Sequence, residues 1–397
     1  MSANYTDPND FIGSDIEKIN AAIQAAAACG CGKTVISSRR ADEESERNFW
    51  LIDSAILLPE NFSLIIRDTV IKLSNACRDN MIRSANTLID TVPICSNINI
   101  IGEGKAVLEG ADIPRATGDA VKVLGERTFG SDAGKAGETA TGDWRNIGIL
   151  LVKTKNFILK NLHIKNSHGW AISLEYCTDG KIADLSFDSC SKVMIDGESH
   201  SALNQDGLDL RRGCRNIEIE NISGSTGDDL VALTAIPTGK RPAGRFGEHE
   251  FMGDSDKLAD EDVYNISIKN VCGFSAGCCN IVRFLNTRGI KMYDIILDGV
   301  KDLSPADKRN QATVRIGEAK LEWGGVTPLN DTKNFTIKNI DSYSRTAVLI
   351  AGSLAESSII NLVNHNPENP AIVYKSGIEK TRALLLKDIT DLPDKNC

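Results

Sequence analysis

Residues 215–225 read RNIEIENISGS, residues 264–274 read YNISIKNVCGF, and residues 333–343 read KNFTIKNIDSY. Each segment opens on a polar residue and alternates apolar with polar positions. It then passes an Asn and begins a second short strand. Period-two alternation with one apolar face is the pattern of a half-buried strand. The theme recurs at 96–104, 155–167, 180–190 and 293–303. Steps between equivalent positions run from 24 residues (Asn156 to Gly180) through 29 (Asn265 to Asp294) to 49 (Asn216 to Asn265). A unit of about two dozen residues with inserted loops is the signature of a solenoid. Several short strands per unit make that solenoid a parallel β-helix, since one coil cannot bury its inner face alone and stacked coils bury it together. A β-sandwich or two α/β domains would instead place Asn-Gly or Asp-Gly turns at regular strand ends. Here Asp179, Asp196, Asp206 and Asp298 precede Gly within the repeat.

Outside the repeat, residues 14–28 read SDIEKINAAIQAAAA. Ser14 or Asp15 caps the start, and Ile16, Ile19, Ile23 and Ala27 share one face. This predicts a helix that covers the open end of the first coil. The expectation is a single all-β domain over 1–397 with the 14–28 helix as its cap. Two irregular stretches, 109–146 and 236–262, are expected to wall a groove, as long loops on a rigid scaffold usually do.

The chain has 397 residues, 45 Lys and Arg against 54 Asp and Glu, and a net charge of −9. That balance argues against a nucleic-acid partner. No run of about 18 apolar residues supplies a membrane span. The opening MSANYTDPNDFIGSD lacks a basic, then apolar, leader. The expectation is therefore a cytoplasmic protein with free thiols, or a secreted one if a leader has been trimmed. The sequons at Asn221, Asn265 and Asn334 read as strand corners rather than glycan sites. Cys29-Gly30-Cys31 and Cys278-Cys279 have no partners at zinc-ligand spacing, so no metal is expected. No glycine-rich phosphate loop follows a strand, and no cofactor is expected.

The acids that matter lie in Asn204-Gln205-Asp206-Gly207-Leu208-Asp209-Leu210 and in Gly227-Asp228-Asp229-Leu230-Val231-Ala232-Leu233. If the apolar tails stack as equivalent strands, Asp206 lies beside Asp229, 23 residues and one coil away. Asp228 then projects next to them. Three carboxylates on one face repel one another, a cost that suits acid–base work on a glycosidic bond.

In these motifs the chain resembles glycoside hydrolase family 28, the polygalacturonase family, whose fold is a right-handed parallel β-helix. Asn166-Ser167-His168-Gly169-Trp170 is similar to the family's Asn-Ser-Pro-x-Trp, and Asn204-Gln205-Asp206-Gly207 to its Asn-Thr-Asp-Gly. Gly227-Asp228-Asp229 matches Gly-Asp-Asp, and Val314-Arg315-Ile316 falls where the family has Arg-Ile-Lys. The resemblance implies inverting hydrolysis, with Asp228 as general acid and Asp206 and Asp229 activating water. It also implies substrate contacts from Arg315, with Arg283, Asn204 and Gln205 as further candidates. Trp323 could stack on a sugar ring.

The departures are specific. Gln205 replaces the family's Thr, and Gly317 replaces its Lys, with Lys320 nearby. The coil after the acids offers no Gly-His-Gly. Aligning NIVRF (280–284) with LVALT (230–234) puts Cys279, or its neighbour Cys278, at the histidine's place. His249, twenty residues after Asp229, is the alternative, with His168 and His200 behind it. Lys240, Arg241 and Arg245 could add cations from the second insertion. The expected function is an exo-acting, inverting glycoside hydrolase on an oligosaccharide, a uronide among the candidates, with a homo-oligomer allowed. Two other classes stay open: a lyase or intramolecular glycosyl transferase on the same scaffold, and a carbohydrate-binding solenoid without catalysis.

Overall fold

A computed structural model describes residues 5–42, 45–75, 77, 79–88, 92–112, 148–167, 169–195, 197–202, 204–236, 261–287, 289–321, 324–366 and 368–392. Most of both expected insertions, together with His168, His249 and Trp323, lies outside them. The fold is a right-handed parallel β-helix with an N-terminal capping helix. The described residues group into two compact units: 5–173 with 180–205, and 174–179 with 206–236 and 261–392.

The first unit carries the helix, Asp15–Ala28. The Ser14 backbone N–H and hydroxyl both donate to Glu17, at 2.8 Å each, closing the first turn. The buried face is Ile16, Ile19, Ala22, Ile23 and Ala26. Ala26 takes the place expected of Ala27, because a 3.6-residue turn from Ile19 and Ala22 reaches position 26. Asp15 is buried under the helix. It accepts from Arg39 Nε at 2.7 Å and from the Leu51 backbone N–H at 2.8 Å, so the cap is tied to the first strands by charge as well as by packing. Long strands Lys33–Ile36, Phe62–Leu73, Cys95–Glu109 and Thr154–Lys165 pair in parallel, as do short strands Ile56–Leu58, Ile82–Ser84 and Ile149–Val152. Lys192–Ile195 and Glu198–Ser201 form an antiparallel hairpin that the repeat pattern does not announce.

The second unit holds two parallel ladders. The long strands are Arg215–Thr226, Val263–Ser275, Met292–Asp302, Thr332–Ser342, Leu354–Asn364 and Thr381–Asp391. The short strands are Leu208–Arg211, Val231–Ala235, Asn280–Asn286, Ala312–Ile316, Thr346–Ile350 and Ile372–Tyr374. Like side chains stack at each level. Ile219, Ile268, Leu297, Ile337 and Ile359 form one inward column, and Leu208, Val231, Val282, Val314 and Val348 another; all ten are buried. Burying one such side chain is worth about 1.5–3 kcal/mol.

The long strands bend where the sequence reads Asn or Asp. Asn216, Asn221, Asn265 and Asn270 have φ of 57°, 58°, 53° and 56°, the left-handed region that Asn tolerates best among residues with a side chain. Their amides also bond along the stack: Asn265 Nδ2 donates to Asn216 Oδ1 at 2.8 Å, and Asn270 Nδ2 to Asn221 Oδ1 at 3.1 Å. This explains the sequons at Asn221 and Asn265 as corners. Asn265→Val is therefore expected to cost about 1–3 kcal/mol through strain at positive φ, with Asn265→Gly recovering part of it. Urea unfolding of the three proteins checks the order. A Val variant as stable as the Gly variant would show that the corner does not depend on backbone conformation.

Candidate active site

The ladder register of the second unit decides which side chains meet. Leu208 pairs with Val231, Val231 with Val282, and Val282 with Val314. Two residues back along each strand, Asp206, Asp229, Asn280 and Ala312 share one level. Hydrogen bonds mark that level. The Asp229 backbone N–H donates to Asp206 Oδ1 at 3.2 Å, and Asn280 donates to Asp229 Oδ1 from both its backbone N–H and its Nδ2, each at 2.8 Å. Asp228 lies one residue earlier, at the level of Cys279. The Thr226 hydroxyl donates to the Asp228 carbonyl at 2.8 Å and holds that turn. Oxygens of Asp206, Asp228 and Asp229 all lie within 4.8 Å of one another. Asp206 and Asp229 are buried and Asp228 is half-buried, so Asp228 is the acid most open to a ligand.

Three residues further along the strands, Asp209, Ala232, Arg283 and Arg315 share a level. Asp209 is 1% exposed and accepts from the Thr234 hydroxyl at 3.1 Å. Arg283 Nη1 stands 3.6 Å from Asp229 Oδ2, while its Nη2 donates to Glu318 Oε2 at 3.1 Å. Arg315 donates to the same Glu318 oxygen at 2.6 Å and to Gln311 Oε1 at 2.7 Å. The other Glu318 oxygen accepts from the Ala319 and Lys320 backbone N–H groups. Three carboxylate oxygens this close would also suit a hard divalent cation; the Arg283 guanidinium already supplies positive charge beside Asp229.

The model for glycosyl hydrolases family 28 matches residues 114–240, about a third of the chain and the part holding all three acids. The chain resembles family 28 glycosyl hydrolases. Its structure is similar to that of the Yersinia enterocolitica family 28 exopolygalacturonase at 12% identity and a TM-score of 0.55, covering 97% of this chain and 78% of that one. A hyperthermoactive exopolygalacturonase from Thermotoga maritima gives 12% identity and a TM-score of 0.57 over 98% and 92% of the two chains. A mutant tailspike protein of E. coli bacteriophage HK620, solved with a pentasaccharide, gives 11% and 0.53 over 99% and 66%. At such identities the likeness is one of fold. No curated protein sequence matches the chain.

The structure brings Arg283 and Arg315 to the acids and corrects the alignment of the next coil by one residue. NIVRF aligns with DLVAL (229–233), not LVALT, because Val282 and Phe284 must face inward beside Val231 and Leu233. Asn280, not Cys279, thus stands level with Asp229, and Cys279 stands level with Asp228. In the first unit, the Gln205 amide is engaged at both ends: its Nε2 donates to the Ser167 carbonyl at 2.6 Å, and its Oε1 accepts from the Ser191 N–H at 2.9 Å. It braces its turn. Asn204 sits at φ 52°, in the left-handed region. Gly317, where the family has Lys, has φ 74°, and a Cβ there would meet Gly352 Cα at 2.5 Å. No side chain fits, and the turn delivers Glu318 instead. Asn280, Gln311 and Glu318 were missed by sequence reasoning, and Asp209 was quoted without a role. The alternation of NIVRF would have located Asn280. Glu318 carries no comparable signal beyond an acid after a turn glycine.

Burial and mutual repulsion load the acids with protons. Burial first, then Asp228, Asp209 and Asp229, push Asp206 well above the carboxylate range. Burial and Asp228 push Asp229 up to about 6, against relief from Arg283 and Asn280. Burial raises Asp209 to about 7, although Arg211 and Thr234 oppose it. Burial and the three acids beside it also push the Cys279 thiol far up, which keeps it neutral. Carboxyls that hold protons more tightly folded than unfolded favour the folded state in acid. Stability then falls as pH rises from the ordinary Asp value of 3.8 through about 6 to 7. Asp209→Asn is expected to raise the melting temperature by about 2–4 °C at pH 8 and to change it little at pH 4.5. Melting curves followed by circular dichroism at both pH values check this. An equal shift at the two values would show that the penalty lies elsewhere.

Proposed function

We propose that the protein is a glycoside hydrolase of the family 28 type, adding water across a glycosidic bond of an oligosaccharide. The observation that carries this reading is the meeting of Asp206, Asp228 and Asp229 from two successive coils, with oxygens within 4.8 Å, over a level that also holds Arg283. Asp228, the most accessible of the three, gives its proton to the leaving glycosidic oxygen as the C–O bond breaks. The pair Asp206 and Asp229 takes a proton from the attacking water as its oxygen bonds to the anomeric carbon. The burial that raises Asp206 leaves it the proton-bearing partner of the pair, while Arg283 and Asn280 favour the ionised form of Asp229, which receives the water's proton. Inverting enzymes ordinarily separate acid and base by about 6.5–9.5 Å to leave room for water. Here the spacing is shorter, so the water is held to one side by the two buried acids rather than between acid and base. Exo action, the release of one sugar at a time from a chain end, is part of this reading and is scored by the sizes of the first products.

A product assay with a panel of charged and neutral oligosaccharides tests the reading. Wild type is expected to give products heavier by one water. Asp228→Asn is expected to lower the rate about 10²–10⁴-fold. Proton NMR of the first-formed anomer should show inversion; retention would make one of the acids a nucleophile. Unsaturated or mass-conserving products would move the protein to the lyase or transferase class. Binding without turnover in both proteins would leave a carbohydrate-binding groove.

A further inference from the structure

We propose that the sugar seated at these acids carries no carboxylate: the site is built for an uncharged oligosaccharide, because Glu318 already occupies both guanidiniums. The inference rests on the glycoside hydrolase reading for its setting, and on the ion pairs of the second unit for its content. A uronate is bound well by an Arg that presents two parallel N–H groups to solvent. Neither described Arg at the site does so. Arg315 is 6% exposed, with Nη1 on Gln311 and Nη2 on Glu318. Arg283 places Nη2 on Glu318 and Nη1 beside Asp229. The Glu318 carboxylate is held in place independently of any ligand. Burial works to raise it, but the Lys320 and Ala319 amides and the two guanidiniums outweigh burial and keep it below the usual carboxylate range.

The backbone enforces the arrangement. Gly317 turns at positive φ against Gly352, so the position after Ile316 cannot offer a side chain, and Glu318 is the first that can. The carboxyls of Asp229, Glu318, Asp228 and Asp206 act on the Arg283 guanidinium, and those of Glu318 and Asp229 on Arg315. An anionic sugar would meet guanidiniums already neutralised by Glu318, and would have to compete with that fixed carboxylate for them. Hydroxyl groups are suited to the same surroundings, since carboxylates accept from them without a charge penalty.

The test reads binding, so it does not depend on turnover. Trigalacturonate is the anionic probe, titrated by calorimetry at low salt into wild type, Glu318→Gln and Arg315→Gln. Wild type is expected to bind it more weakly than 1 mM, and Glu318→Gln, with both guanidiniums released, at least tenfold more tightly than wild type. Wild-type binding tighter than 1 mM, or no gain in Glu318→Gln, overturns the proposal. Arg315→Gln is the control should Glu318→Gln fail to fold. Its affinity for trigalacturonate is expected to match wild type, and a tenfold loss would mean that Arg315 holds a uronate after all. If no oligosaccharide is turned over, the hydrolase reading falls while these titrations still decide the charge of the ligand.

Discussion

The parallel register of the short strands is the constraint on which the site depends. Strands hydrogen-bonded in parallel sit about 4.8 Å apart, and each level repeats that spacing from coil to coil. Once Leu208, Val231 and Val282 are committed to the core, the residues two places earlier have no choice of neighbour. Asp206, Asp229 and Asn280 meet because the apolar column behind them is in register. The carboxylate spacing is thus inherited from the sheet rather than set by local contacts, and the geometry of the acid cluster comes with a buried hydrophobic stack.

That geometry is costly, and the cost is met in two ways. Protons neutralise part of the cluster, as the raised values of Asp206, Asp209 and Asp229 show. Arg283 and the Asn280 amide stabilise the part that ionises. Arg283, itself a half-buried charge, takes Glu318 as a second partner, and the same Glu318 is the partner for Arg315. The acids, the two guanidiniums and Glu318 therefore form one connected network. Glu318 is thereby linked to Asp229 through Arg283 without touching it.

Much of this was legible in the sequence. Alternation with recurring Asn exposes the coils, because corners of this kind need a residue that accepts positive φ. The 23-residue offset between Asp206 and Asp229 equals one coil and places them side by side. What the sequence hid were features that depend on single-residue register or on space. NIVRF and LVALT look equivalent until Phe284 is required to face the core, and the one-residue slip exchanges Cys279 for Asn280. Gly317 looks like a lost lysine; only the approach of Gly352 shows that no side chain could stand there. Gln205 looks like a ligand in its motif, yet its amide is engaged by Ser167 and Ser191. Helix, strand and acid placement follow from periodicity, whereas partner choice follows from packing that no period encodes.

The corner ladder has a bearing on how such a chain can change over generations. Asn216 bonds to Asn265 across 49 residues, Asp294 to Asn334 across 40, and Asn339 to Asn361 across 22. The ladder registers levels and is indifferent to the length of chain between them. Insertions and deletions at the loops are therefore nearly silent to the floor, while loss of one residue inside a strand turns every later side chain of that strand to the opposite face. Length variation is thereby channelled into the connections between strands, and the level-by-level placement of Asp206, Asp229 and Asn280 is passed on unaltered.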